Sequence, residues 1–220
     1  HWGWGKNAHL RVGALAHSSR WRGTLAPTEQ QPHLIAGLDA TARKLGGLTR
    51  KWRFDRMTTV CHPESGKVTA TFAAVAKHYG VQVAICPPRR GNRKGVVEKS
   101  NHTAAQRWWR TLPDDITVEE AQASLDRFCE QRGDARLRPS VVDRRATVLT
   151  VAAAEPLAPV PATPFPATIT EERVVSAQAL VAWRGNFYSV PPELARAQVV
   201  VSQRLGEQHL ETRGPRDPPG

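Results

Sequence analysis

Cysteine, acid and long apolar runs are scarce in this chain of 220 residues, and each scarcity excludes something. The three cysteines, Cys61, Cys86 and Cys129, are odd in number and scattered. That argues against a disulfide framework and suits a reducing compartment. Cys61-His62 with His78 and Cys86 lacks the paired spacing of a zinc knuckle, so zinc is not expected. No apolar run approaches the ~20 residues of a membrane span. No signal peptide is visible in these residues, and no basic amphipathic helix of the membrane-surface kind is expected. The first residue is His1 rather than Met, so the expectation is a processed or cut chain, or a fragment. Acid is rarest at the start, where nothing acidic precedes Glu29.

What the chain has is positive charge: net +11, with a pI near 10.4. Residues 1–112 carry 19 Lys/Arg against 5 Asp/Glu, and residues 113–220 carry 12 against 15. Such a balance favours a polyanionic partner, because each phosphate neutralised releases condensed counterions. The contact surface is expected in the first half.

Apolar periodicity and turn residues divide the chain. His9–Ala16 and Trp21–Ala26 read as two strands joined by a polar turn. Thr28-Glu-Gln-Gln31 has the pattern of a capping box, with Pro32 in the first turn. Leu34, Ile35, Leu38, Ala42 and Leu45 then recur at helical spacing up to Gly46-Gly47. Arg50–Phe54 is a short strand with Asp55 at its carboxyl end. Val68–Tyr79 reads as a helix and Val81–Cys86 as a buried strand. This alternation is an α/β layer pattern. Thr117-Val-Glu-Glu120 is a second capping box, opening a helix that runs to about Arg132. Pro156, Pro159, Pro161, Pro164 and Pro166 mark an extended linker. Short β-like runs follow, with Gly185-Asn186 as a hairpin turn signal, and read as a small all-β barrel. The expected divisions are a partial α/β core over 1–112, a helical extension over 113–155, a linker over 156–166, the barrel over 167–212 and a disordered tail over 213–220.

The chemistry concentrates between Cys86 and Arg110. A Pro-Pro turn leads into a basic loop, Arg89-Arg90-Gly-Asn-Arg93-Lys94, and then into a helix carrying Glu98, Lys99, His102 and Arg107. One carboxylate in a field of cations suits a site that holds both a metal ion and a phosphate. Asp55 and Glu98 are joined by a helix and a strand, which can return the chain beside its starting strand. Strand ends of open α/β sheets are where sites form, and two carboxylates there could ligate Mg²⁺. Plainer readings stand beside these. Asp55 could cap a loop, Glu98 could pair with Lys94 on an exposed helix face, and His102 could be solvated. Trp108 is expected in the core. Trp109 could stack on a base or line an interface.

Five segments also resemble a known family: Phe54–Val60 (F-D-R-M-T-T-V), Lys77–Val81, Pro87–Lys99, Arg107–Leu112 and Arg184–Pro191 (R-G-N-F-Y-S-V-P). In that order they are similar to IstA-type insertion-sequence transposases, of the DDE transposase and retroviral-integrase superfamily. The resemblance implies an RNase H-like integrase catalytic core followed by a small β-barrel. It implies three carboxylates, two Mg²⁺ or Mn²⁺ ions in the full-length enzyme, and cleavage and transfer of DNA strands. Asp55 corresponds to the second acid and Glu98 to the third, as catalytic and metal-binding residues. Arg89, Arg90, Arg93, Lys94, Lys99, His102 and Arg107 become the DNA-contact set. Implied partners are transposon ends, target DNA, an IstB-like ATPase helper and further copies of the chain, in a bacterial cytoplasm at the nucleoid.

One departure bears on activity. The family's first acid lies on the first strand of the core, ahead of the segment Trp2-Gly-Trp-Gly5. In this chain Glu29 begins a helix and Asp39 lies within it, so neither stands at that position. The expectation is a core without its first strand and with little or no activity alone. The alternatives are a catalytically dead DNA-binding or assembly remnant of an insertion sequence, and an RNase H-type nuclease whose barrel would go unexplained.

Overall fold

A computed structural model describes residues 8–87, 104–139 and 143–214. The chain forms two compact units, His1–Phe165 and Pro166–Gly220.

The first unit contains two small sheets and the helices that cover them. Strands β1 (His9–Ala14) and β2 (Trp21–Ala26) pair antiparallel, with Val12 opposite Gly23. Helix α1 (Gln31–Leu45) lies on one face of this pair. Gly13 permits the approach, since a Cβ there would come within 2.6 Å of Thr41 Cγ2. On the other face lies α3 (Val118–Phe128), admitted by Gly23, where a Cβ would meet Leu125 at 2.7 Å. Trp21, Ala104, Trp108, Ala121, Leu125 and Cys129 form the core there. Strands β3 (Lys51–Phe54) and β4 (Gln82–Ile85) make the second sheet, parallel, with α2 (Ala70–His78) as their crossover. Trp52 and Phe54 share the face that packs on Tyr79 and Phe72. Lys51, Arg53 and Gln82, on the other face, are exposed. Leu34 of α1 joins Val60 and Phe72 in the core beneath this sheet, so one helix serves both sheets. Among the described residues β1 and β3 are not hydrogen-bonded to each other.

Local chemistry explains most element ends and corrects one. Gly46 ends α1 in the left-handed conformation, φ +93°, with its N–H on Arg43 O. Thr117 and Glu120 form the expected capping box on α3. The box expected at Thr28–Gln31 does not form. The N-cap is Gln30, with no side-chain cap, and Thr28 Oγ1 accepts from Gln30 N instead. Pro32 presets the first turn, which removes one of the orphan donors a cap would satisfy.

The proline-rich stretch lies against the first unit. Leu48 and Ala158 exchange two backbone hydrogen bonds of 2.8 Å. Arg43 donates to Pro161 O at 2.7 Å, and His78 Nε2 lies 3.0 Å from Thr163 O. Phe165 N donates to the Tyr79 hydroxyl at 3.2 Å. Proline withholds its own N–H, so the strap is held through its carbonyls and its few non-proline amides.

The second unit is all β. A three-stranded sheet, order β5 (Thr168–Val174), β8 (Gln198–Arg204), β9 (Glu211–Arg213), faces the hairpin β6 (Leu180–Trp183) and β7 (Asn186–Ser189). Their core is Ile169, Val175, Val181, Trp183, Val199 and Val201. The hairpin turn lies one residue earlier than Gly185-Asn186. Arg184 (φ +48°) and Gly185 (φ +82°) are its central pair, and Trp183 faces Asn186. Both central residues need positive φ in this turn, and Gly185 takes it without a Cβ.

Candidate nucleic-acid and metal site

Asp55 is exposed and directly follows β3. Cys86 N donates to Phe54 O at 2.8 Å, so the carboxyl ends of β3 and β4 stand side by side. Asp55 therefore lies where the chain leaves the sheet toward residues 87–99. The segment after it is tightly built. Met57 N bonds Asp55 O, and both Val60 N and Cys61 N bond Met57 O. Cys61 bridges Val68, and His62 N reaches Lys67 O at 2.9 Å. Arg56 Nη1 donates to the carbonyls of Pro63 and Glu64 at 3.0 and 2.9 Å, and its guanidinium lies over Gly66. Val60 and Cys61 at the loop's base are fully buried. The result is a rigid base beneath an exposed tip, with Arg56 spent on carbonyls rather than left free for a ligand.

Glu98, Arg89, Arg90, Arg93, Lys94, Lys99 and His102 lie outside the described residues. Arg107 is exposed on a wide helical turn, Ala104–Trp108, and the next residue, Trp108, is buried with Nε1 donating to Ser124 Oγ at 3.2 Å. Trp109 meets Trp108 edge to face and remains 41 % exposed.

Asp55 fits a hard divalent cation in kind, as an exposed oxygen donor at a strand end. It does not suffice in number. Among the described residues no three His, Cys, Asp or Glu side chains are grouped to hold a metal. All three cysteines are buried and free.

Sequence reading missed three polar arrangements. Arg22 and Asp134 form a buried bidentate pair. Gln122 covers the outer edge of β2, accepting from Leu25 N at 2.9 Å and donating to Gly23 O at 3.1 Å. Tyr79 donates to Asp39 at 3.0 Å. Partners separated by 40 to 112 residues leave no local signature.

Comparison with known proteins places these features. Residues 160–212 match the Mu transposase C-terminal domain family. The chain is 28% identical over 206 residues to the transposase for insertion sequences IS1326/IS1353 of Pseudomonas aeruginosa, covering 89% of this chain and 39% of that protein. It is 26% identical over 215 residues to a putative transposase for insertion sequence element IS5376 of Geobacillus stearothermophilus, covering 93% and 51%. With the transposase for insertion sequence element IS21 of Pseudomonas aeruginosa the identity is 25% over 206 residues, covering 91% and 52%. The chain is a relative of insertion-sequence transposases of the IS21 type. It spans about half the length of these relatives, or less. In fold it is similar to a chain of the simian T-cell lymphotropic virus intasome determined in complex with PP2A regulatory subunit B56 gamma. The TM-score is 0.50 at 12% identity, over 93% of this chain and 69% of that one. The first unit of this transposase relative has the RNase H-like integrase-core fold, and a small β domain follows it. Among the described residues no helix is long and apolar enough to cross a membrane.

Proposed function

We propose that this chain is the part of an insertion-sequence transposase that carries the second and third carboxylates of the catalytic core, Asp55 and Glu98, together with the small β-barrel, and that it binds DNA. The observation that carries the reading is Asp55 at the paired ends of β3 and β4, where the chain runs on into the basic segment containing Glu98. Relatives that are transposases support a role in DNA transposition. Arg89, Arg90, Arg93, Lys94, Lys99, His102 and Arg107 are the proposed contacts to phosphate. Side chains of this kind set affinity and its salt dependence rather than sequence preference. Mg²⁺ or Mn²⁺ would supply Lewis-acid stabilisation of the reacting oxygens when bound. Transposon ends, target DNA, an IstB-like ATPase helper and further copies of the chain are the partners proposed for the full-length protein.

The test has two arms. Residues 1–220 should bind duplex DNA with a steep salt dependence, and replacing both Arg90 and Arg93 by Ala should flatten it. Unchanged binding in that double variant would remove the loop from the interface. The same chain should join DNA strands weakly or not at all with Mg²⁺. Robust joining that Asp55→Asn leaves intact would remove Asp55 from the mechanism.

A further inference from the structure

The motif Arg184–Pro191 supplies one wall of a cleft that the catalytic reading does not use. Among the described residues β7 pairs only with β6, and β9 only with β8. Each strand therefore keeps one unpaired edge. A cleft of about 200 Å³ touches both strands, through Tyr188 and Ser189 of β7 and Thr212 of β9. Its apolar lining is Val181, a core residue of this unit, with Val190 and Leu210, which pack on that core.

Register decides which groups of β7 point outward. The two-residue turn makes Trp183 and Asn186 a hydrogen-bonded pair, and such pairs alternate along an antiparallel ladder. Asn186 and Tyr188 thus spend their backbone groups on β6. Val190 N continues the same phase by donating to Ala179 O at 2.9 Å. Phe187 and Ser189 turn their N–H and C=O groups to the free edge. Exposed edges are commonly blunted by lysine, proline or a bulge. Asn186–Ser189 contains none of these, and Pro191 only bounds the edge.

The lining selects among ligands. It has no Lys, Arg, Asp or Glu. Residues 166–220 carry six basic and six acidic side chains, so this unit has no net charge, unlike residues 1–112. A polyanion gains nothing from such a cleft. The cavity is smaller than the roughly 300–1,000 Å³ of small-molecule sites and suits a few side chains. Main-chain hydrogen bonds to a sheet edge, with pockets for alternate side chains, are the chemistry of strand addition.

We propose that the cleft between β7 and β9 takes an extended, uncharged segment of a partner protein. The segment pairs with the free edge of β7 at Phe187 and Ser189, and sets an aliphatic side chain against Val181, Val190 and Leu210. This surface is separate from the proposed DNA contacts and does not depend on them.

The experiment titrates residues 1–220 with a short capped peptide that alternates valine and threonine, up to about 1 mM, and follows amide exchange by NMR. Bound peptide should slow exchange at Phe187 and Ser189 and leave Asn186 and Tyr188, already bonded to β6, little changed. The same peptide N-methylated at alternate residues cannot pair, and should bind at least about ten-fold more weakly. Ser189→Pro removes an outward N–H but no ladder bond, so it should fold and lose about ten-fold in peptide affinity. Thr212→Lys puts a charge on the opposite wall and should also weaken binding, which keeps the test open if the proline variant unfolds. Equal binding of the N-methylated peptide, or no binding of either peptide, overturns the proposal and leaves the DNA reading standing. Self-association without peptide that Ser189→Pro abolishes, seen by sedimentation, also overturns it and assigns the edge to a second copy. Displacement of the peptide by duplex DNA overturns it in favour of nucleic acid.

Discussion

Arg22 donates two hydrogen bonds to Asp134 across 112 residues of sequence, at 2.9 and 2.6 Å, and both side chains are buried. Arg20 approaches the same carboxylate at 3.4 Å. Burial alone lowers the Arg22 pKa, but the hydrogen bond and charge of Asp134 outweigh it, and the net shift is upward. The pair fixes the turn after α3 to strand β2. Asp134→Ala leaves a buried guanidinium without its counter-charge, so it should cost about 3–5 kcal/mol. Urea unfolding at neutral pH measures this; a loss below about 1 kcal/mol would show that Arg22 finds water instead.

The exposed edge of a sheet invites pairing with another chain. Gln122 covers β2 with a side-chain amide that copies a strand's donor and acceptor. Gln122→Leu strands Leu25 N and Gly23 O, and should lower stability by about 1–3 kcal/mol while raising light scattering on heating. Gln122→Glu keeps the acceptor, loses the donor and faces Asp126, which Gln122 Nε2 contacts at 3.1 Å. It should be worse at pH 7 than at pH 4.

Tyr79 links α1 to the proline-rich strap, with Asp39 accepting from its hydroxyl and Phe165 N donating to it. Burial, then the bond to Asp39, pushes the phenol up to about 12. An unfolded tyrosine ionises near 10. Between those values the unfolded chain has lost a proton that the folded chain keeps. The stabilisation is therefore complete below about pH 10 and is lost as pH rises through about 12. Stability measured from pH 9 to 12 should fall in the wild type and fall less steeply in Tyr79→Phe.

Cys129 is fully buried, and desolvation pushes its thiol up to about 12 despite the nearby Arg22 charge. The thiolate is the reactive form, and Cys61 and Cys86 are buried as well. A disulfide reagent at pH 8 should leave the native thiols unmodified for minutes and titrate all three in guanidinium chloride. Rapid native labelling of Cys129, located by peptide mapping, would mean that the turn 129–134 opens readily.

Much of the frame was legible. The apolar periodicity of Leu34, Ile35, Leu38, Ala42 and Leu45 marked α1, and Gly46 marked its end, because each signal acts within one or two turns. Strand β3 placed Asp55 at a sheet end for the same reason. The Thr28 pattern misled, since Pro32 already relieves the first turn and Thr28 turns instead to Gln30. The hairpin turn shifted by one residue because Arg184 adopts a left-handed conformation that composition assigns more readily to Asn186.

Strand and helix order, the basic first half and the position of Asp55 after a strand were set by local residue chemistry, which short sequence windows contain. Tertiary structure alone decided that Gln122 covers β2, that Asp134 holds Arg22, and that the prolines form a docked strap. It alone left the ring of Phe187 exposed on the outer face of its hairpin. Those outcomes depend on which distant groups share a desolvated space. A buried donor must find an acceptor wherever the fold supplies one, and no spacing along the chain encodes that choice.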